Sequence, residues 1–283
     1  MTKNNLLALF LLLGLVVFVS CSDDDNGSGD DKNNEKLLLS KVTEDSGDSE
    51  MRYYYDNANR LIKVEEFEFD ESDGESVSQA VYEYDSNGNP VKKTESTVGE
   101  SGSFLTTYAY KEDSVFVKEF KYDSQTEIDE IDTLIINNNG SLKKKHSSYD
   151  YGISYSNYTA NNAGQVTRED YYVKTIVNNP SESHEVKTYT YDNKNGFFSQ
   201  VNAKAWFIEY DLSLYSHVSN SVLMQSVTEY KNLETGEITE YSEQIEQKYT
   251  YSESNYPVTV AVKEIYGDEI ENYSYKLEYI KAK

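Results

Sequence analysis

The sequence predicts an all-β protein, an antiparallel meander of about sixteen strands built from repeated hairpins. The sheet should curve strongly or close into a water-soluble barrel. Three observations predict this fold. A hairpin motif recurs with a mean period of 28 residues. The 27 tyrosines supply the apolar surface that Leu, Ile, Val and Phe, just under 20% of residues 21–283, do not supply alone. Only 3 prolines interrupt the chain, and no segment shows sustained helical periodicity with caps.

The chain begins with a predicted lipoprotein signal peptide, residues 1–20. Lys3 precedes an apolar run of 14 residues, Leu6–Val19, which has the length of a signal core and is too short to span a bilayer. Ser20 stands directly before Cys21, the single cysteine of the chain. This order resembles a bacterial lipobox, which implies cleavage before Cys21 and attachment of acyl chains such as palmitate, a stable membrane anchor. An ordinary secretory signal with a chance cysteine is the alternative.

Residues 21–44 are predicted to form an acidic, flexible tether, because like charges mixed with Gly and Ser do not collapse. The start of this tether resembles the acidic export signal of Bacteroidetes-type surface lipoproteins. The matching residues are Ser22, Asp23, Asp24 and Asp25. The resemblance implies a lipid-anchored protein of the outer membrane that faces the cell exterior. A periplasm-facing lipoprotein is the alternative.

Residues 45–283 are predicted to form a single domain of repeated hairpins. Each repeat ends a strand on an anchor, usually Tyr, and continues into an Asp/Asn-rich turn, as in Tyr82–Asn89. Asp and Asn accept hydrogen bonds from their own turn, and Gly supplies positive φ. An apolar residue follows six positions after the anchor, or seven where Pro intervenes. Eight anchors, two of them in degenerate copies, span 196 residues in seven intervals and lie at positions 55, 84, 110, 136, 160, 191, 216 and 251.

Charge and cysteine content exclude several classes of protein. The 50 Asp and Glu against 26 Lys and Arg give a net charge of -24, so nucleic acid is not an expected partner. A single Cys excludes a disulfide scaffold. The predicted strand 241–251 carries Glu243 on one face and Glu246 on the other, whereas a lipid-spanning barrel needs one wholly apolar face.

Two stretches resemble known families. The sequence of Tyr82–Asn89 is similar to the Tyr-Asp repeats of RHS-type proteins. Tyr189–Phe197, followed by Asn220–Leu223, looks like a family of Bacteroidetes lipoproteins that carry a domain of unknown function with a porin-like fold. That family usually has Asn-Pro-Phe where this chain has Asn-Gly-Phe at 195–197. The resemblance covers residues 45–283, implies a many-stranded antiparallel meander and implies no catalytic residues.

No catalytic or metal-binding constellation stands out in the sequence. Three histidines are isolated: His146, His184 and His217. The turn oxygens of Asp85, Asn87 and Asn89 could hold calcium, but turn formation is the simpler interpretation. With 50 acidic residues, any single glycosidase-type carboxylate pair is uninformative. We therefore expect a protein that is not an enzyme and needs no cofactor.

One segment departs from the repeat. Residues 203–215 hold the single Trp and the densest apolar run of the mature chain, which predicts either buried strands or a short helix that plugs the sheet. A ligand-gripping insert is the second interpretation, with Trp206, Phe207 and Tyr210 as the stacking side chains. The predicted function is a cell-surface binding or structural module for a glycan or protein ligand, joined to the membrane through Cys21. A surface glycan-degrading hydrolase with an unrecognised carboxylate pair is the alternative.

Overall fold

The protein forms a closed barrel of sixteen antiparallel strands, in a computed structural model that describes residues 35–70, 74–149, 152–176, 180–212 and 219–283. Each strand pairs with the next along the chain, which confirms the predicted all-β meander and shows that the sheet is closed. The strands are β1 Leu37–Glu44, β2 Ser49–Tyr55, β3 Leu61–Asp70, β4 Gly74–Tyr84, β5 Pro90–Thr97, β6 Phe104–Lys111, β7 Ser114–Phe120, β8 Ile128–Ile136, β9 Leu142–Tyr149, β10 Gly152–Ala160, β11 Val166–Thr175, β12 Ser181–Tyr191, β13 Ser221–Asn232, β14 Ile238–Tyr251, β15 Pro257–Tyr266 and β16 Glu269–Lys281.

The strand that closes the barrel lies inside the segment predicted as tether. β1 pairs with β16, from Leu37 opposite Lys281 to Glu44 opposite Tyr275. The predicted boundary at residue 44 is therefore wrong over residues 37–44. The sequence Leu-Leu-Leu-Ser-Lys-Val-Thr-Glu of this strand carries no turn anchor, so the repeat pattern gives no sign of it.

The predicted signal peptide and its lipidation site lie outside the described residues. The same holds for the export signal Ser22–Asp25 and for Cys21. The lipid anchor and the surface location therefore stay predictions.

Hairpin turns at one end of the barrel follow the predicted Asp/Asn chemistry. In the turn after β4, Asp85 Oδ1 accepts hydrogen bonds from the backbone N–H groups of Asn87 at 2.9 Å and Asn89 at 2.8 Å. Gly88 there has φ +79°, a conformation that L side chains rarely adopt. Asp56 and Asn161 accept in the same way in their own turns. We call this the turn end of the barrel and the opposite end the loop end.

A one-residue register shift follows most of these turns. Tyr54 pairs with Lys63, but Tyr55 pairs with Leu61, so Ile62 is an extra residue in β3. The shift lets Leu61, which is fully buried, point into the barrel together with the inward residues farther along the strand. In the two repeats that contain proline, the buried position is taken by Pro90 and Pro257, and the extra residues are Val91 and Val258.

The repeated tyrosines fasten the turn end. Tyr84, the last residue of β4, donates its hydroxyl hydrogen bond to the carbonyl of Leu61, the first residue of β3, at 2.6 Å. Other anchors repeat this contact with neighbouring strands: Tyr55 to Leu39 at 2.7 Å, Tyr110 to Pro90 at 2.6 Å and Tyr191 to Val166 at 2.6 Å. Each ring adds apolar contact while its hydroxyl finds a backbone partner, so these tyrosines hold the sheet together.

Removing one of these hydroxyls should measurably weaken the barrel. We expect Tyr84→Phe to lower the free energy of unfolding by about 1 kcal/mol, because the buried end of β3 loses a hydrogen bond while the ring contacts remain. Urea unfolding checks this value. Tyr266→Phe, at a position that is 53% exposed, is the control and should change stability by less than about 0.5 kcal/mol. Equal effects of the two substitutions would contradict the fastening role.

The outer wall of the barrel is charged. Ion pairs run along it between neighbouring positions: Lys41 with Glu278, Arg52 with Glu50, Lys63 with Glu65, Lys92 with Glu83, Arg168 with Asp170 and Lys174 with Glu182. A lipid-facing wall carries an apolar band, whereas the described outer wall carries these charged pairs. Across the described part of the chain, every helix is too short or too polar to traverse a bilayer.

The chain between β12 and β13 leaves the wall and fills the turn end. We call residues 192–212 the plug. Within it a short helix, α1 Ala205–Phe207, continues into a π-helical turn, Ile208–Leu212, which confirms the helical alternative over these residues. Phe207 and Ile208 are fully buried, and Trp206 donates its backbone N–H to the Gly140 carbonyl at 2.9 Å.

The plug replaces one predicted hairpin. The degenerate anchor at 216 lies among residues 213–218, outside the described residues, and no strand occurs in the described parts of 192–220. The sixteen-strand count is met because β1 and β16 complete the wall instead.

Candidate functional site

The barrel contains a cavity of about 510 Å³ between the plug and the loop end, which we call the chamber. Five aromatic side chains line it: Tyr53, Tyr82, Phe104, Tyr122 and Phe198. Glu66, Glu95 and Asp211 also line it, and the described lining residues include no Lys or Arg. Phe104 and Tyr122 are half exposed, so the chamber reaches solvent at this rim. A cavity of this size with aromatic walls and a few polar groups has the form of a small-molecule site.

A smaller cavity of about 350 Å³, the floor cavity, adjoins the chamber at Asp211. Its lining is mainly polar: Lys93, Glu119, Lys145, Tyr158, Glu209, Tyr210 and Asp211, with Leu142. Three of these, Glu209, Tyr210 and Asp211, belong to the π-helical turn of the plug. The plug therefore supplies polar groups to the floor cavity, while its apolar groups fill the turn end.

The first polar contact of the plug with the wall centres on Asp211. Its side chain is 3% exposed, and its Oδ1 lies 3.0 Å from Lys93 Nζ. Tyr108 donates its hydroxyl hydrogen bond to the other oxygen. Lys93 also lies 3.1 Å from Glu95. Burial by itself would lower the pKa of Lys93, but the charges of Asp211 and Glu95 outweigh it and raise that pKa. Lys93 is therefore charged and already committed to two carboxylates.

The second contact centres on Asp132 of β8. Tyr210 donates its hydroxyl hydrogen bond to Asp132 Oδ2 at 2.6 Å, and Lys145 Nζ lies 2.9 Å from the same oxygen. Lys145 also stands 5.1 Å from the centre of the Tyr210 ring. The opposite oxygen of Asp132 and the hydroxyl of Ser147, its cross-strand neighbour, are buried and lack a hydrogen-bond partner in the described structure. Asp132 Oδ1 and Ser147 Oγ can therefore each still accept a hydrogen bond on the inner wall.

Two further carboxyls on the inner wall have raised pKa values. Burial raises the pKa of Glu119. Burial, and then the adjacent Asp132 charge, raise the pKa of Glu130. A raised pKa makes a carboxyl better suited to donate a hydrogen bond or to act as a general acid.

Glu209 is the clearest titrating group of the plug. It is 4% exposed, and its Oε2 accepts the backbone N–H of Leu142 at 2.6 Å. Burial raises its pKa to about 7, and the Leu142 hydrogen bond opposes the shift. The ordinary value of 4.5 applies when the chain unfolds. Folding therefore favours the neutral form of Glu209, and the contribution of this group to stability is full below pH 4.5 and is lost as the pH rises through 7.

Glu209→Gln should remove this dependence. Between pH 5 and pH 8 the wild type should lose on the order of 2 kcal/mol more unfolding free energy than the variant, because only the wild type must ionise a buried carboxyl. Urea unfolding at both pH values measures the difference. Glu100→Gln, at an exposed loop position, should keep the wild-type pH profile. A Glu209→Gln protein that is less stable than the wild type at pH 8 would contradict the predicted direction of this pH dependence.

The structure brings the three predicted ligand-binding residues together but buries two of them. Trp206 is 3% exposed and Phe207 is fully buried, so neither ring presents a face to solvent. Tyr210 lines the floor cavity with its hydroxyl bound to Asp132. Direct stacking of a ligand on Trp206 would require the plug to move, and the ligand-binding role of the three residues stays a prediction.

Sequence reasoning missed the wall residues of the chamber. Lys93 and Asp211 lie far apart in sequence, and Lys92, next to Lys93, points outward to Glu83. Period-two alternation separates the two lysines onto opposite faces but does not tell which face is inside.

His146, His184 and Asp85 belong to no metal-binding group in the described part of the chain. Among the described residues, no group of three or more His, Cys, Asp or Glu side chains could hold a metal ion. Both Asp85 oxygens accept hydrogen bonds within their own turn. His184 stacks on Tyr172 of the outer wall, with ring centres 4.0 Å apart. His217 lies outside the described residues.

Comparisons with known proteins give a likeness of fold. The chain is similar to a porin-like protein from Bacteroides vulgatus ATCC 8482, with 16% identity, 87% of this chain and 99% of that chain covered, and a TM-score of 0.41. It is also similar to a porin-like protein from Bacteroides uniformis ATCC 8492, with 12% identity, coverage of 86% and 98%, and a TM-score of 0.38. No family model matches the chain, and no curated protein matches it. At these identities and TM-scores, no ligand, location or activity follows for this chain.

Proposed function

We propose that this chain is a lipid-anchored, non-enzymatic binding module of the outer membrane surface that holds a small ligand in its chamber. The chamber is the observation that carries the proposal. It combines about 510 Å³ of space, five aromatic rings and three carboxylates behind a rim that meets solvent. The plug fills the turn end, and the chamber meets solvent at the rim of Phe104 and Tyr122, a form that suits ligand retention.

The anchor part of the proposal rests on Cys21 and the acidic residues that follow it. Cys21→Ser should move the protein from the membrane fraction to the soluble fraction and abolish labelling by radioactive palmitate. Replacement of Asp23, Asp24 and Asp25 by Ala should keep the label but protect the protein from protease added to intact cells. A Cys21→Ser protein that still fractionates with membranes would contradict the lipid anchor.

Filling the chamber tests the binding function. Ala80 lines the chamber on β4, whereas Ala109 of β6 is exposed on the outer wall. A library of oligosaccharides and small metabolites is screened by calorimetry against the wild type. Ala80→Trp should abolish the binding that this screen finds, and Ala109→Trp should retain it. Thermal melting establishes that both variants fold. The absence of any ligand, or binding that survives Ala80→Trp, would count against a chamber site.

A hydrolase remains the second candidate because of one observation, the Glu130 and Asp132 carboxyls of β8. Burial, and then the nearby Asp132 charge, raise the pKa of Glu130, and a raised carboxyl pKa suits general acid catalysis. Turnover of a polysaccharide that Glu130→Gln abolishes would support this candidate. Silence across a broad substrate panel would eliminate it.

A further inference from the structure

We propose that the chamber selects an organic cation with an alkylated ammonium head. This proposal rests on the proposed function of the chamber as the binding site. The walls combine the two features that recognise such a group. Aromatic faces attract a cation through their electron-rich surface, and a carboxylate adds a full opposite charge. The chamber holds five rings and three carboxylates, with no Lys or Arg among its described lining residues.

The carboxylates of the chamber are only partly neutralised by the protein. Lys93 lies 3.0 Å from Asp211 and 3.1 Å from Glu95, so one positive charge serves two negative ones. Glu66 lines the chamber, and the described residues place no cation or hydrogen-bond donor against it. The three carboxylates against one lysine leave two negative charges in excess at this site. The chain as a whole carries -24, which further concentrates cations at the rim.

The position of Glu66 fits recognition of a bulky cation. It stands on β3 beside Val64, near Tyr53, whose ring packs edge-on against Phe198 with centres 5.6 Å apart. Phe104 and Tyr122 form a second aromatic pair at the rim, with ring centres 5.1 Å apart. A cation that enters at the rim therefore meets the aromatic side chains of Phe104 and Tyr122 and then the Glu66 carboxylate. A sulfate, phosphate or carboxylate ligand would meet like charge and is disfavoured.

Choline and its neutral isostere 3,3-dimethyl-1-butanol separate charge from shape. We expect calorimetry and saturation-transfer NMR on the mature chain to show choline binding at least about tenfold tighter than the alcohol. Glu66→Gln should weaken choline about five- to tenfold and leave the alcohol unchanged, since only the charge is removed. Glu83→Gln, on the outer wall, is the matched control and should bind as the wild type does. Thermal melting of each variant confirms folding.

The outcomes separate this inference from the chamber function itself. Equal binding of choline and the alcohol, or an unchanged choline affinity in Glu66→Gln, would overturn the cation class. If choline does not bind, but a neutral oligosaccharide binds and Ala80→Trp abolishes that binding, the cation class is overturned and the binding function of the chamber stands. Failure of every probe would overturn both.

Discussion

Phe207→Ala should lower the free energy of unfolding by about 3–5 kcal/mol, the largest loss expected from any single ring of the plug. Phe207 is fully buried at the centre of an aromatic cluster. Its ring centre lies 5.4 Å from that of Tyr82, 5.9 Å from that of Trp206 and 6.3 Å from that of Tyr108. Alanine leaves a cavity between the plug and strands β4 and β6 of the wall, and the wall cannot collapse into it because its strands are held by their own hydrogen-bond ladder. Urea unfolding followed by tyrosine and tryptophan fluorescence measures the loss.

Phe69→Ala is the matched control, at a position 43% exposed on the outer wall. It should cost less than about 1 kcal/mol, because little apolar area returns to water. If Phe207→Ala matched this control, the plug would be a dispensable insert and not part of the core.

Lys93→Ala should destabilise the barrel by about 3–5 kcal/mol, because it leaves the Asp211 carboxylate buried beside the plug without its cation. The Tyr108 hydrogen bond remains but cannot supply the missing charge. Urea unfolding at pH 7.5 measures the effect. The double variant Lys93→Met with Asp211→Leu should recover much of the loss, since both buried charges are then removed together.

Lys92→Ala is the control for this prediction because it is the neighbouring residue on the opposite face. Its ion pair with Glu83 is 41% and 57% exposed and should contribute about 0–0.5 kcal/mol. Comparable losses at the two lysines would show that Lys93 does not face a buried partner and would contradict the placement of the plug.

Most of the fold could be predicted from the repeat, because the hydrogen bonds of a turn join residues that are close in sequence. Asp85 forms its turn with residues two and four positions away, and Gly88 follows within the same turn. Such contacts can be read from the sequence without knowing what surrounds them. Leu61, Leu142 and Val166 are the apolar residues six positions after their anchors, and the structure shows that all three are buried.

Neither the closure of the barrel nor the chamber could be predicted from the repeat, because both depend on contacts between residues that are far apart in sequence. β1 carries no turn anchor, and its pairing with β16 joins the two ends of the domain. The Lys93–Asp211 contact joins a wall strand to the plug, and the inward direction of Lys93 depends on the register shift after Pro90. A one-residue difference in that shift would have turned Lys92 inward instead.

The reactivity of a single engineered thiol tests whether the chamber opens to solvent at the rim of Phe104 and Tyr122. Cys21→Ser provides a background without cysteine, into which Ala80→Cys places a thiol in the chamber and Ala109→Cys one on the outer wall. Both thiols should react with methanethiosulfonate ethylammonium, but only the outer thiol should react with a maleimide carrying a long polyethylene glycol chain. A chamber thiol that is inert to the small reagent, or as reactive as the outer thiol toward the large one, would show that residue 80 does not line a chamber open at the rim.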